Sequence, residues 1–416
     1  MDQGVRDLPI MALDKLHCAL GPDVVPTVLA KFPVELIRSE TVGHAVSDLL
    51  GKAYSTYLNA DWNTCLRHCD VILDVTWEQL NTGYWKDVDI SWRYVYTTAS
   101  WMKALAQFAN VLSDGSNVKD AVKTCDMGLL MGAPVRDNVL STLASKLQKM
   151  YSARPITNAT DTEPVCKKPK LINVPAIEKP VGVVCNPSLE YFRTKHMLEE
   201  RPVIVANAMN YWPAMAERRW SVHYIKTVAG CRTVPVEVGS KYTEEDWSQS
   251  LMTVEEFVEK FIESPSTDEK GYLAQHQLFN QVPELQKDIH VPSYCGLSED
   301  DDGDVDINAW FGPEGTVSPL HQDPKHNLLC QVVGEKYIRL YAAEYTDMVY
   351  PHESRLLSNT SRVDVENPDL VRFPDFIKAP YSECILRPGQ MLYIPPKCWH
   401  YIRSLSVSFS ISFWWR

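Results

Sequence analysis

Between Arg154 and Pro180 the sequence switches its hydrophobic period, which rules out one continuous layer of a single kind of secondary structure. Upstream, apolar residues recur at steps of three and four. In 61–80 these are Trp62, Cys65, Leu66, Cys69, Ile72 and Leu73; in 89–112 they are Trp92, Val95, Trp101, Leu105 and Phe108. That period puts them on one face of a helix. Downstream the runs are short, rich in β-branched and aromatic residues, and separated by turn residues. The stretch between holds Pro155, Pro164, Pro169, Pro175 and Pro180 among polar residues, as a flexible linker does. A chain of 416 residues also exceeds a comfortable single core. The expectation is an α+β multidomain chain: 1–152 a helical bundle or helix-pair array serving as an interaction domain, 153–182 a Pro-rich linker, 183–416 a β-barrel domain. A faint echo between CLRHCDVIL at Cys65 and AVKTCDMGLL at Ala121 favours helix pairs.

Composition narrows the class. The net charge of −12 argues against a general nucleic-acid binder, and no nucleic-acid motif is present. No apolar run is long enough to span a bilayer, and the charges in MDQGVRDLPIMALDKL interrupt any signal-peptide core. The expectation is a reducing compartment with the 11 cysteines as thiols. Lys167-Lys168-Pro169-Lys170 is a candidate nuclear import signal, so the expected location is the nucleus, with the cytoplasm as a second site. Two metal readings fail. Cys65 and Cys69 have no second Cys/His pair at zinc spacing and read as buried helical thiols. The acidic run Glu299–Asp304, aligned on Gly303 as a calcium loop, puts Ala309 where a bidentate glutamate is needed.

One stretch carries chemistry. NAWFGPEGTVSPLHQD, 308–323, ends on His321-Gln322-Asp323, and on an extended strand residues two apart share a face. A second imidazole, His400, follows the proline-braced turn Ile394-Pro395-Pro396. Two histidines and a carboxylate form the facial triad of non-haem Fe(II) oxygenases, which leaves positions open for cosubstrate and O2. Around it, Gln331–Tyr341 reads as a strand pair or hairpin. In 406–415, Ser408, Ser410, Ser412 and Trp414 share one face and Val407, Phe409, Ile411 and Phe413 the other. Several short strands with turns between them fit a double-stranded β-helix, or jelly roll.

From about Val183 onward, NAWFG, SPLHQDPxxN, GEKYIRLY, LRPGQMLYIPPxxWHY and SFSISFWW, in this order, resemble the JmjC, cupin-like Fe(II)/2-oxoglutarate oxygenases. The resemblance implies that His321, Asp323 and His400 hold Fe(II) and that 2-oxoglutarate and O2 are consumed to give succinate and CO2. It implies Lys336 as the cation for the distal carboxylate of 2-oxoglutarate, with Ser318, Asn327 and Tyr272 as donors and Trp414 beside it. It further implies C3-hydroxylation of arginine in protein substrates, whether ribosomal, chromatin-associated or histone. A guanidinium needs a carboxylate and aromatic faces, for which Glu237, Tyr242 and Trp310 are the candidates. Alternatives are N-methyl-lysine demethylation, histone-tail proteolysis, a scaffold with a vestigial barrel, or a cupin isomerase or metal store.

Overall fold

The computed structural model describes residues 7–26, 34–84, 86–153, 174–239, 247–265, 269–297, 304–355 and 357–416. Tyr242, Lys167–Lys170 and the acidic run 299–303 lie outside the described residues.

The N-terminal half is helical: α1 (Asp7–Leu20), α2 (Ser39–Val42), α3 (His44–Leu58), α4 (Trp62–Leu80), α5 (Ile90–Asp114), α6 (Lys119–Met131) and α7 (Val139–Ser152). Side-chain oxygens start two of them, Asp61 accepting from the Thr64 N–H at 3.2 Å and Asp89 from the Ser91 N–H at 2.8 Å. The centre of α5 is buried nearly all round, through Val95, Ala99, Trp101, Met102, Leu105 and Phe108, and its neighbours pack about it. Cys65, Cys69 and Cys125 are buried in this core as thiols.

The C-terminal half supplies β1 (Val183–Cys185), β2 (Val203–Ala206), β3 (Thr233–Val238), β4 (Ser248–Thr253), β5 (Gly271–His276), β6 (Asp306–Gly312), β7 (Val317–His321), β8 (His326–Val333), β9 (Lys336–Tyr341), β10 (Ser382–Leu386), β11 (Gln390–Ile394), β12 (Trp399–Ser404) and β13 (Ser408–Trp415). They form a nine-stranded sheet, ordered β1-β2-β11-β8-β13-β6-β5-β3-β4, and a four-stranded sheet, β10-β9-β12-β7. Leu329, Ile338, Leu340, Leu386, Leu392 and Ile394 fill the space between the sheets, which makes this a jelly roll. Helices α8 (Leu189–Phe192), α9 (Val222–Ala229), α10 (Val254–Val258), α11 (Leu278–Gln281) and α12 (Pro283–Gln286) accompany the larger sheet. Its outer face carries Phe409, Ile411 and Phe413, buried with Trp212, Trp220 and Phe257. The alternation of the last strand thus sets apolar residues outward under the helices and serines inward.

Two local readings change. Gln331–Tyr341 is not a hairpin: β8 and β9 belong to different sheets, and the chain crosses between them at Gly334. Its φ of +71°, and the Val407 carbonyl oxygen that a Cβ there would meet at 2.0 Å, require glycine. Strand β4 is mostly exposed along its length. Residues at the end of the expected linker run beside β10, with the Val181 N–H on the Glu383 carbonyl at 3.0 Å and the Glu178 N–H on the Glu383 carboxylate at 2.9 Å.

The two halves meet through a buried ion pair. Asp126 of α6 accepts from Arg232 Nε at 3.0 Å and Nη2 at 2.6 Å, and from the Thr233 N–H at 2.6 Å. Tyr151 and Lys119 reach Glu255 beside it, at 2.7 and 3.2 Å.

Candidate active site

His321 is the last residue of β7 and lies opposite His400 of β12, so the two rings stand 4.1 Å apart between centroids. Asp323 is not on the strand, as the two-residue spacing led one to expect. It sits in the turn beyond β7 and reaches back, with Oδ2 at 3.5 Å from His400 Nε2 and 4.0 Å from His321 Nε2. Backbone bonds hold that turn. The Lys397 N–H donates to the Asp323 carbonyl at 2.6 Å, and the Gln322 N–H to the Asn359 carbonyl at 2.9 Å. The Pro395-Pro396 turn therefore braces both His400 and the carboxylate.

The donor set fits a divalent metal. Its ligand atoms lie within 4.8 Å of one another. His321 Nδ1 is 2.7 Å from the Pro319 carbonyl and His400 Nδ1 is 3.0 Å from the Cys398 carbonyl. A carbonyl only accepts, so each Nδ1 carries the proton and each Nε2 turns its lone pair to the centre. Burial, and then His321, lower the His400 pKa to about 4 and keep that lone pair free. Asp323 Oδ2 is buried without a hydrogen-bond partner, a state an ion would relieve.

Deeper in the barrel a second cluster forms. Lys336 is opposite Ser404, four residues from His400 along β12 and on the same face. Its ammonium is buried, donates to Tyr272 Oη at 3.2 Å, and has its pKa lowered by burial to about 7. Burial raises the Tyr272 phenol, and a hydrogen bond with Ser318 opposes it. Gly312 leaves room for that ring: a Cβ there would meet it at 2.7 Å. Ser318 joins the cluster through a β-bulge. Opposite His400 and Ile402, two apart, stand His321 and Ser318, three apart. The extra residue lets Ser318 and His321 share a face that plain alternation would deny them. Asn327 of β8 pairs with Trp414 of β13, and Asn327 Oδ1 and Trp414 Nε1 are both buried without partners.

Toward the larger sheet, Trp310 stands 6.1 Å from the Tyr272 ring and donates from Nε1 to Ser412 Oγ at 2.9 Å. Glu237 of β3 pairs across strands with Tyr272, hence shares its face, and burial raises its pKa against a hydrogen bond from Trp247. The fold thus gathers ten of the eleven candidates onto one connected inner face, Tyr242 being outside the described residues. Sequence reading passed over Trp247, which no motif marks, and Ser412, seen only as one of an alternating set.

Residues 188–416 match the model of the cupin-like domain family, and residues 33–161 match a model described as KDM8-like, N-terminal ARM repeats. The chain is 48% identical to lysine-specific demethylase 8 of Danio rerio over 94% of its own length and 97% of the relative's. It is 40% identical to the protein of that name in Xenopus tropicalis, over 93% and 98%. It is also 39% identical to Jumonji C domain-containing protein 5 of Drosophila melanogaster, over 83% and 85%.

Proposed function

The chain belongs to the JmjC, cupin-like Fe(II)- and 2-oxoglutarate-dependent oxygenases, and from that premise we propose that it hydroxylates arginine side chains of protein substrates at C3. Bound Fe(II) and 2-oxoglutarate supply the oxidising power from O2. His321, Asp323 and His400 would hold the metal. Four residues of strand separate His400 from Lys336, about 13 Å, which leaves space for a small dicarboxylate and the lysine side chain. Lys336, Tyr272 and Ser318 would take its far carboxylate, with Asn327 and Trp414 alongside.

The observation that carries the arginine reading is Glu237. A carboxylate whose pKa is raised by burial, on the face that bears Tyr272, whose ring lies 6.1 Å from Trp310, has no cation paired with it among the described residues. A guanidinium supplies one, with planar donors and a face for the indole. The second reading, removal of methyl groups from lysine, is favoured by the name of the fish and frog relatives. A methylated ammonium also suits aromatic walls but makes less use of a carboxylate. The helical half offers a surface for protein partners. Action in the nucleus, with a cytoplasmic pool, belongs to the same proposal and rests on the basic cluster at 167–170.

Mass spectrometry separates the readings. Arginine peptides incubated with Fe(II) and 2-oxoglutarate should gain one oxygen, and the gain should fall by more than about 10³-fold in Asp323→Ala, which loses a metal ligand. Loss of methyl from methyl-lysine peptides, with arginine untouched, would refute the hydroxylase.

A further inference from the structure

The seam between the halves does not close everywhere. Between the α6–α7 turn, the end of β5 and helix α11 it leaves a cleft of about 890 Å³. Amide side chains line it: Asn138 from the helical half, Gln275, Gln277 and Asn280 from the barrel half, and Asn308 at its inner end. Asn308 shares the face of β6 that bears Trp310, two residues on, since both pair with inward serines of β13. The cleft therefore begins where the wall of the proposed substrate pocket ends.

Its chemistry is that of a surface for neutral amides. Among the described lining residues Asp137 is charged and no lysine or arginine occurs, which disfavours an anion or a nucleic acid. His276 adds an acceptor. Gln281 Nε2 donates to the Thr233 carbonyl at 2.7 Å, so its oxygen faces His276 Nε2, also at 2.7 Å. That nitrogen must carry the proton, and Nδ1 is left as the acceptor. Arg136, Asp137 and Asn138 all hold positive φ, at 47°, 52° and 62°, and Gln275 holds 47° on the opposite wall. These turn conformations set the shape of the two walls.

We propose that this cleft binds the backbone of the substrate polypeptide next to the residue that enters the barrel, which makes the helical half part of the substrate site. The inference rests on the reading of protein substrates above. Recognition through amides predicts dependence on peptide length more than on flanking sequence.

The test uses the full chain with Mn(II) and 2-oxoglutarate, and fluorescein-labelled Gly-Ser peptides with one central arginine. Lengths of about three, seven and eleven residues are titrated by anisotropy. Affinity should rise about tenfold from the shortest to the longest, as expected for a few new hydrogen bonds. In the double variant Gln275→Ala, Asn280→Ala the longest peptide should bind no better than the shortest. Both side chains are exposed, so the variant keeps its core, which circular dichroism verifies. Affinity independent of length in the wild type, or a rise that survives the double substitution, overturns the proposal. The same series centred on dimethyl-lysine separates the two readings: if it alone binds, arginine oxidation fails while the length effect still scores the cleft.

Discussion

Two of the buried charged clusters among the described residues are built in opposite ways. At the seam, Asp126 and Arg232 are fully buried and face each other, and the carboxylate accepts from the guanidinium and from the Thr233 N–H. In the barrel, the Lys336 ammonium is buried with a phenol but no counter-ion among the described residues, and there Asp323 Oδ2, Asn327 Oδ1 and Trp414 Nε1 have no partners. A paired cluster finishes folding with its charges answered. An unpaired one retains a desolvation cost that an incoming metal and dicarboxylate can relieve. The contrast distinguishes a buried charge that holds the fold from one kept ready for a ligand.

The largest test of that contrast is on stability. Asp126→Ala strands the Arg232 guanidinium and should cost about 3–5 kcal/mol. Lys336→Met should act in the opposite direction on the ligand-free protein, with a gain of roughly 2–4 kcal/mol near neutral pH. The sign follows from the lysine's lowered pKa: the cost of its charge is fully present below about pH 7 and disappears as pH rises toward the unfolded value. The gain should shrink accordingly in alkali. Denaturant titrations of both variants at two pH values check this, and destabilisation by Lys336→Met at neutral pH would erase the distinction.

The same contrast shows what the chain made legible. Asp323 and His400 were visible because metal chemistry restricts which residue types can serve, and Lys336 because it sits in a recurrent motif. Ser412 and Trp414 were placed by strict alternation. The seam left no mark, since nothing local distinguishes Asp126 or Arg232 from surface charges until β3 meets α6. The bulge in β7 was equally hidden, because it is a property of pairing with β12 and not of β7 alone. Gly334 looked like a hairpin turn, and only the separation of the two sheets shows that the chain crosses there.

A smaller effect tests the unpaired cluster by its protons. With a pKa lowered to about 7, Lys336 is largely neutral in the ligand-free protein at about pH 8.5. A carboxylate beside it favours the ammonium, so 2-oxoglutarate binding should take up close to one proton there and close to none at about pH 5.5. Calorimetry in two buffers of different ionisation enthalpy reads that number directly, and Lys336→Met should abolish it. Uptake that persists in the variant would move the proton to another group.

The smallest expected effect falls on Ser318, which belongs to the barrel cluster only through the bulge. Its hydroxyl meets the Tyr272 phenol, the group that also receives the Lys336 proton donor. Ser318→Ala removes one hydrogen bond at the far end of the proposed cosubstrate site and leaves the metal ligands in place. The KM for 2-oxoglutarate should rise about fivefold, near 1 kcal/mol, with kcat and melting temperature little changed. Such a change falls on the guest's site, unlike Asp126→Ala, which strips the buried Arg232 guanidinium of its carboxylate. A drop in melting temperature with no change in KM would instead make Ser318 a brace of the bulge and return it to the structural class of Asp126.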